Sequence, residues 1–504
     1  MLRELSVLVH RRPGRDHPSP DPFLGDSLPG RLFSEMVHGG LDEEAAVAAV
    51  FGPAGNRDLI NKVRHQLTNH LVGMLLALPD PPGSPASEST ASPHASTRNL
   101  AAAQRLESLG AHDLSQYFLE RALRQAERYR HTDVALAALR QLIHRCILNR
   151  EPLAKLTALR DKLSQLEALR DLEYRAEAGY LGMIQTYRRE RGKQYTDGSQ
   201  RATALADELA AHPLGGSTGQ LVYYEGFLRL IGHLMDFRFR EGFHLGIRVA
   251  EQLADSPSPK LAVPLYRLCL VCCIQLRDLT AGEDLLQRLL RGATPPGSGA
   301  WLYAGELGVK LYIYGGDYER AGAFFTELTA HRPRSSSPPD GDYLRERLEL
   351  LGMYLHFLRA TGRMPAANSA LPARVSLTRF RNDTQRLEAQ ASPYRIPAFV
   401  AQYIYYLIHR QFRDYEDRLE SLRSFRFRTE RVATSRRTAI FLKMLALVPE
   451  AGFSLPRLRP RVSALERELA QLRDEPQPHE IEIIPYETLW TLVEECLQHK
   501  TAPR

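Results

Sequence analysis

KLYIYGGDYERAGAFFTELTAHRP, residues 310–333, outlines a helical hairpin. Tyr312 closes a first apolar helix, and Gly316-Asp317 makes the turn. Ala321 is the small side chain where the two backbones approach, and a tight helix crossing requires one there. Phe325 follows one turn later and fills the gap beneath it. Pro333 ends the unit, because proline cannot continue a helix.

Two upstream stretches open in the same way. REGFHLGI and LTAGEDLL precede DYERAGAFF, and each carries a small residue: Gly242, Ala281 and Ala321, spaced 39 and 40 residues apart. A fixed period of that size is the mark of stacked helix pairs. From Asn99 to about Gln471 the pattern is helix after helix, with no long strands. The breaks fall at Glu151-Pro152, His212–Gly219, Ser256–Lys260, Gly292–Gly299, His331–Gly341 and Thr361–Ala366. Most intervals between them suit two antiparallel helices and a short turn.

On Tyr312, Gly316-Asp317, Ala321, Phe325 and Pro333, residues 300–333 resemble a tetratricopeptide repeat, and a looser likeness covers 218–333. Gly305 and Gly308 depart from that pattern, standing where the family has large apolar residues. The resemblance implies an all-α, right-handed α-solenoid of antiparallel helix pairs. It also implies a scaffold that takes a peptide or protein in its concave groove. Partner contacts are then expected on first helices: Tyr223, Tyr224 and Arg229 in QLVYYEGFLRL, together with Tyr303 and Lys310.

The chain has 504 residues, 43% apolar and 25% charged, with a net charge of +7. That balance excludes a disordered or collagen-like chain. Residues 1–79 read as a small helical N-terminal domain, with a helix opening at Leu41 or Asp42 and running through Val50. A second helix follows Asn56-Arg57-Asp58 and carries an apolar stripe of Leu59, Val63, Leu67, Leu71 and Met74 or Leu75. Residues 80–98 are rich in Pro, Ser, Ala and Thr and read as a flexible linker. The repeat domain then spans 99–471, and 472–504 forms an acidic tail with a capping helix. Pro485 suits the first turn of that helix, and Leu489, Leu492, Val493, Cys496 and Leu497 make its apolar stripe.

All of the net charge sits in 372–437, which holds 14 Arg, no Lys and seven acids. Arg423, Arg426, Arg428, Arg431, Arg436 and Arg437 are candidate anion contacts, with Phe425 and Phe427 interleaved. Such a patch attracts phosphate, and exposed aromatics stack on single-stranded bases. The alternatives are a salt-bridged helix face, Asp414 and Arg418 being one i,i+4 pair, or neutralisation by an acidic partner or the acidic tail. The N-terminal helices offer a helix-turn-helix reading, but residues 1–98 carry nine basic and eleven acidic residues, which opposes phosphate approach. A nucleic-acid-associated regulator is therefore the second function class.

No motif for catalysis, phosphate binding or metal binding stands in a suitable context. Gly215–Gly219 fits G-x-S-x-G around Ser217, but a helix ended by Pro213 precedes it where a nucleophile elbow needs a strand. Cys269 and Cys272 form a C-x-x-C inside an apolar helix, with no second ligand pair nearby, and read as buried structural thiols. There is no signal-peptide pattern, and the longest clean apolar run, Leu71–Leu78, is too short for a bilayer. The expectation is a non-catalytic, cytoplasmic protein-interaction scaffold without cofactor or metal.

Overall fold

The computed structural model describes Leu2, Arg3, Ser6 and Leu387 together with residues 27–52, 55–77, 93–189, 196–256, 259–291, 296–331, 339–364, 376–384, 394–431, 436–472 and 482–498. Among these residues every regular element is helical. The chain divides into two compact units, 1–167 and 168–504.

The first unit begins with α1 (Leu28–Val37), α2 (Glu43–Phe51) and α3 (Arg57–Ala77). Asp42 caps α2, its carboxylate accepting from the Ala45 amide at 2.8 Å, and Asn56 accepts from the Asp58 amide at the start of α3. Val63, Leu67 and Leu71 are buried against Leu32, Phe33 and Met36 of α1, a helix the composition did not announce. Leu59, expected on the same stripe and placed in the first turn of α3, is 41% exposed. Three helices follow: α4 (Pro93–Ser108), α5 (His112–Arg128) and α6 (Thr132–Leu148). Residues 93–98, read as linker, form the first turn and a half of α4, and 80–92 lie outside the described residues.

A long helix, α7 (Leu153–Arg189), spans the division between the units. In the second unit come α8 (Thr196–Ala211), α9 (Gly219–Met235), α10 (Phe239–Ala254), α11 (Ala262–Leu276), α12 (Leu279–Arg291), α13 (Gly299–Tyr314), α14 (Tyr318–Ala330) and α15 (Pro339–Ala360). After these stand α16 (Leu377–Asp383), α17 (Arg395–Ile408), α18 (Phe412–Asp417), α19 (Leu419–Arg431), α20 (Arg436–Glu450), α21 (Leu455–Gln471) and α22 (Tyr486–Gln498). From α8 to α15 each helix packs on the next, and α9, α11, α13, α15 and α17 also touch in succession. One apolar cluster runs from Cys269 on α11 to Leu497 on α22.

A single turn geometry recurs along the chain. Phe237, Arg277, Gly316, Gly362 and Arg410 all adopt positive φ, between 55° and 78°. After each of them the next amide reaches back five residues: Arg238 to His233, Asp278 to Cys273, Asp317 to Tyr312, Arg363 to Leu358 and Gln411 to Tyr406. This is the Schellman closure, which satisfies carbonyls that a helix end would otherwise leave bare. The first unit uses it as well, at Gly110, Arg130 and Arg150.

The small residues mark close crossings. A Cβ on Gly282 would lie 2.5 Å from Leu311 on α13, so Gly282, one position beyond the expected Ala281, makes the contact in the second copy. Ala281 is only partly buried. Gly242 and Ala321 are buried as expected. Gly305 and Gly308 serve the same purpose from the first-helix side: Leu328 of α14 presses on one, and Leu286 and Phe324 on the other. Small residues thus stand at these crossings on both helices.

Pro259–Leu276 is long and apolar enough, by length and composition, to cross a membrane. Here most of it forms α11, which packs against α10, α12 and α13 and buries Leu265, Cys269, Leu270, Cys272, Cys273 and Ile274.

Candidate binding face

Because α9, α11, α13, α15 and α17 touch in succession, side chains on their shared face fall into a row. Tyr223 and Tyr224 come from α9, Arg267 from α11, Tyr303 from α13, Arg347 from α15 and Tyr394 from the residue preceding α17. The guanidinium carbon of Arg267 lies 5.8 Å from the centre of the Tyr303 ring, and that of Arg347 lies 4.8 Å from the same ring and 4.9 Å from Tyr394. Cations over aromatic faces are attracted by the ring quadrupole. At the α9 end, Tyr223 donates its hydroxyl to Tyr180 of α7 at 3.2 Å, and Tyr180 also packs against Tyr224 and Phe227.

Glu306 anchors the centre of the row. Its carboxylate is 1% exposed and meets Lys310 at 3.0 Å on the next turn of α13, as well as the Arg347 guanidinium. The Tyr394 hydroxyl donates to it at 3.3 Å. Burial opposes its ionisation, but Arg347 and Lys310 outweigh burial and hold the carboxyl down at about 2. Glu306 is therefore charged at neutral pH, with two cations on one carboxylate.

Among the described residues Arg267 has no such partner. It is half-buried, its Nε is sealed from solvent, and no described residue offers that Nε a hydrogen-bond acceptor or the guanidinium an ion pair. Burial pulls its pKa below the ordinary arginine value, and only the Tyr303 and Tyr223 hydroxyls act in the other direction.

The expected contact residues divide on this geometry. Tyr224 and Tyr303 are half-buried members of the row. Tyr223 is only 5% exposed, and burial followed by the Tyr180 hydroxyl raises its phenol, so it backs the face as a neutral wall. Lys310 is 1% exposed and committed to Glu306, which corrects its reading as a contact. Arg229 points away toward α8, pairing with Asp207 at 2.8 Å and with Glu225 at 3.0 Å.

Three of the six candidate arginines, Arg423, Arg436 and Arg437, pair with acids of this chain. Arg437 is 2% exposed and bound to Glu482 and Glu487 of the acidic tail, so it is no external anion site. Arg423 pairs with Glu450, and Arg436 with Glu468. The side chains of Arg426, Arg428, Arg431 and Phe427 lie outside the described residues. Phe425 is buried and stacks on Phe399 at 4.0 Å, which removes it as a platform for bases.

Ser217 lies in the loop between α8 and α9, and among the described residues its hydroxyl has no hydrogen-bond partner that would act as a base. Among the described residues, no three His, Cys, Asp or Glu side chains gather as a metal site. Sequence reasoning missed Arg267, Glu306, Arg347 and Tyr394. The one available signal was Glu306 four residues before Lys310 in an otherwise apolar helix. Comparison with protein-family models, curated proteins and solved structures finds no match for this chain.

Proposed function

We propose that this protein is a non-catalytic binding scaffold, a right-handed α-solenoid of tetratricopeptide-like pairs that holds a partner protein or peptide on its first-helix face. The recurrent Schellman turns at 237, 277 and 316 support the repeat reading, as do the successive contacts of α9, α11, α13 and α15. The observation that carries the binding reading is the half-buried pair Arg267 and Tyr303 on α11 and α13, backed by Arg347 of α15 and the buried Tyr394. Tyr and Arg dominate the energetics of protein interfaces, because they combine large contact area with directional polar ends. A row already packed in place costs little further ordering when a partner docks.

Affinity capture with the full chain tests this reading. The double variant Tyr224→Ala, Arg267→Ala is compared with wild type and with Arg248→Ala, which alters an exposed residue of α10. Partners kept by wild type and Arg248→Ala but lost by the double variant support the face. Identical partners in all three overturn it.

A further inference from the structure

We propose that Arg267 recognises a carboxylate on a bound peptide, supplied by an acidic side chain or by the peptide's C-terminus. The proposal rests on the binding-scaffold reading and adds the chemistry of the ligand. Two cations, Lys310 and Arg347, meet the Glu306 carboxylate, and a third, Arg267, lies 5.8 Å from the centre of the Tyr303 ring that Arg347 also faces. Lys310 and Arg347 share Glu306, while Arg267 meets no carboxylate among the described residues.

Elsewhere in the second unit a deeply buried guanidinium is fully matched. Arg437 meets two carboxylates and also donates to the carbonyls of Leu469 and Leu472. Desolvating a guanidinium without a counter-charge is costly, and a site that tolerates it gains most when the charge arrives with the ligand. Tyr223 and Tyr303 flank Arg267 and supply no formal charge, since burial keeps Tyr223 protonated.

The planar guanidinium fork matches a carboxylate in bidentate fashion, and a single unmatched fork suits a monoanion. Arg347, facing the same Tyr303 ring, adds long-range attraction without surrendering Glu306. The half-buried faces of Tyr224 and Tyr303 would take apolar side chains beside the acid.

The test uses arrays of 15-residue peptides and the full-length protein. Each sequence is synthesised with Asp or Glu, with the matching Asn or Gln, and with a free or an amidated C-terminus. Hits are quantified by fluorescence anisotropy. Acid-bearing peptides are expected to bind at least about tenfold more tightly than their amide counterparts. That preference disappears in Arg267→Gln, and Arg267→Lys keeps part of it. Circular dichroism confirms that the variants fold, and the acid-against-amide comparison on wild type stands without any variant. Loss of binding on side-chain amidation assigns the carboxylate to an acidic residue, and loss on C-terminal amidation assigns it to the terminus. Peptides that bind wild type equally well as acid and as amide overturn the role of Arg267 while leaving the scaffold reading standing. Absence of any peptide binding overturns both.

Discussion

The guanidinium of Arg437 at the head of α20 lies 2.8 Å from Glu482 and 2.7 Å from Glu487, so the acidic tail is fastened through a buried ion pair. Tyr486, between those two acids, stacks on Phe441 with ring centres 4.4 Å apart, and its hydroxyl meets Thr438 at 3.1 Å. Breaking a buried pair by removing one partner strands the other charge. Arg437→Met is therefore expected to cost about 3–5 kcal/mol in chemical denaturation. Arg437→Lys keeps the charge but loses the fork, and should cost less than Arg437→Met but clearly more than Arg436→Lys at the surface. Equal midpoints for all of these variants would contradict the fastening role.

Gly282 and Gly182 make a matched pair of tests. Both are helical glycines, for which alanine offers up to about 1 kcal/mol of helix propensity. A Cβ at 182 meets nothing within 4 Å, whereas at 282 it would sit 2.5 Å from Leu311 Cδ1 and 2.7 Å from Cδ2. Leu311 is itself buried, so it can yield only by pushing on the packed side chains around it. Gly182→Ala should raise the melting temperature and Gly282→Ala should lower it, the latter by about 1–3 kcal/mol of stability.

Arg150 adopts φ 52° at the turn after α6 and is exposed. A side chain in this left-handed region crowds its own carbonyl. Arg150→Gly is expected to stabilise the protein by about 0.5–1 kcal/mol in thermal unfolding, without changing the helical signal.

His356 of α15 and His409, just after α17, stack face to face with ring centres 5.6 Å apart. Burial, then the neighbouring His409 and Arg359, pull His356 down to about 4, and burial alone lowers His409. Both histidines stay neutral in the folded chain after they would protonate in the unfolded one. Their contribution is present above about pH 6.5 and is lost as the pH falls toward 4, where the loss levels off. Stability should decline by on the order of 2 kcal/mol across that window. His356→Gln together with His409→Gln should flatten the profile, as measured by urea midpoints at pH 7 and pH 4.5.

Local chemistry made much of the fold legible. Asp42 and Pro485 stand where helix starts require them, and the breaks at Glu151-Pro152, 212–219 and 292–299 match real helix ends. Ala321 and Phe325 are buried as the hairpin demanded. Ala281 and Gly282 are adjacent small residues about 100° apart on one helix, and only the position of Leu311 decides between them. Lys310 reads as exposed because lysine seldom is buried, yet Glu306 one turn earlier makes its burial possible. Arg267 was hidden for a related reason. Its surroundings in LYRLCLVC are core-forming, and its neighbours Tyr223 and Tyr303 lie about forty residues away on either side. Such a row exists only once the helices are stacked.

Photo-crosslinking from the row tests the central claim most directly. A benzophenone amino acid replaces Tyr303 of α13 in one full-length protein and the exposed Arg248 of α10 in another, and both are irradiated in the native cell extract. The expected result is a discrete protein adduct from position 303 that is missing from position 248. Adducts of equal yield from both positions, or an adduct from 248 alone, would contradict a binding face built from the Tyr and Arg row.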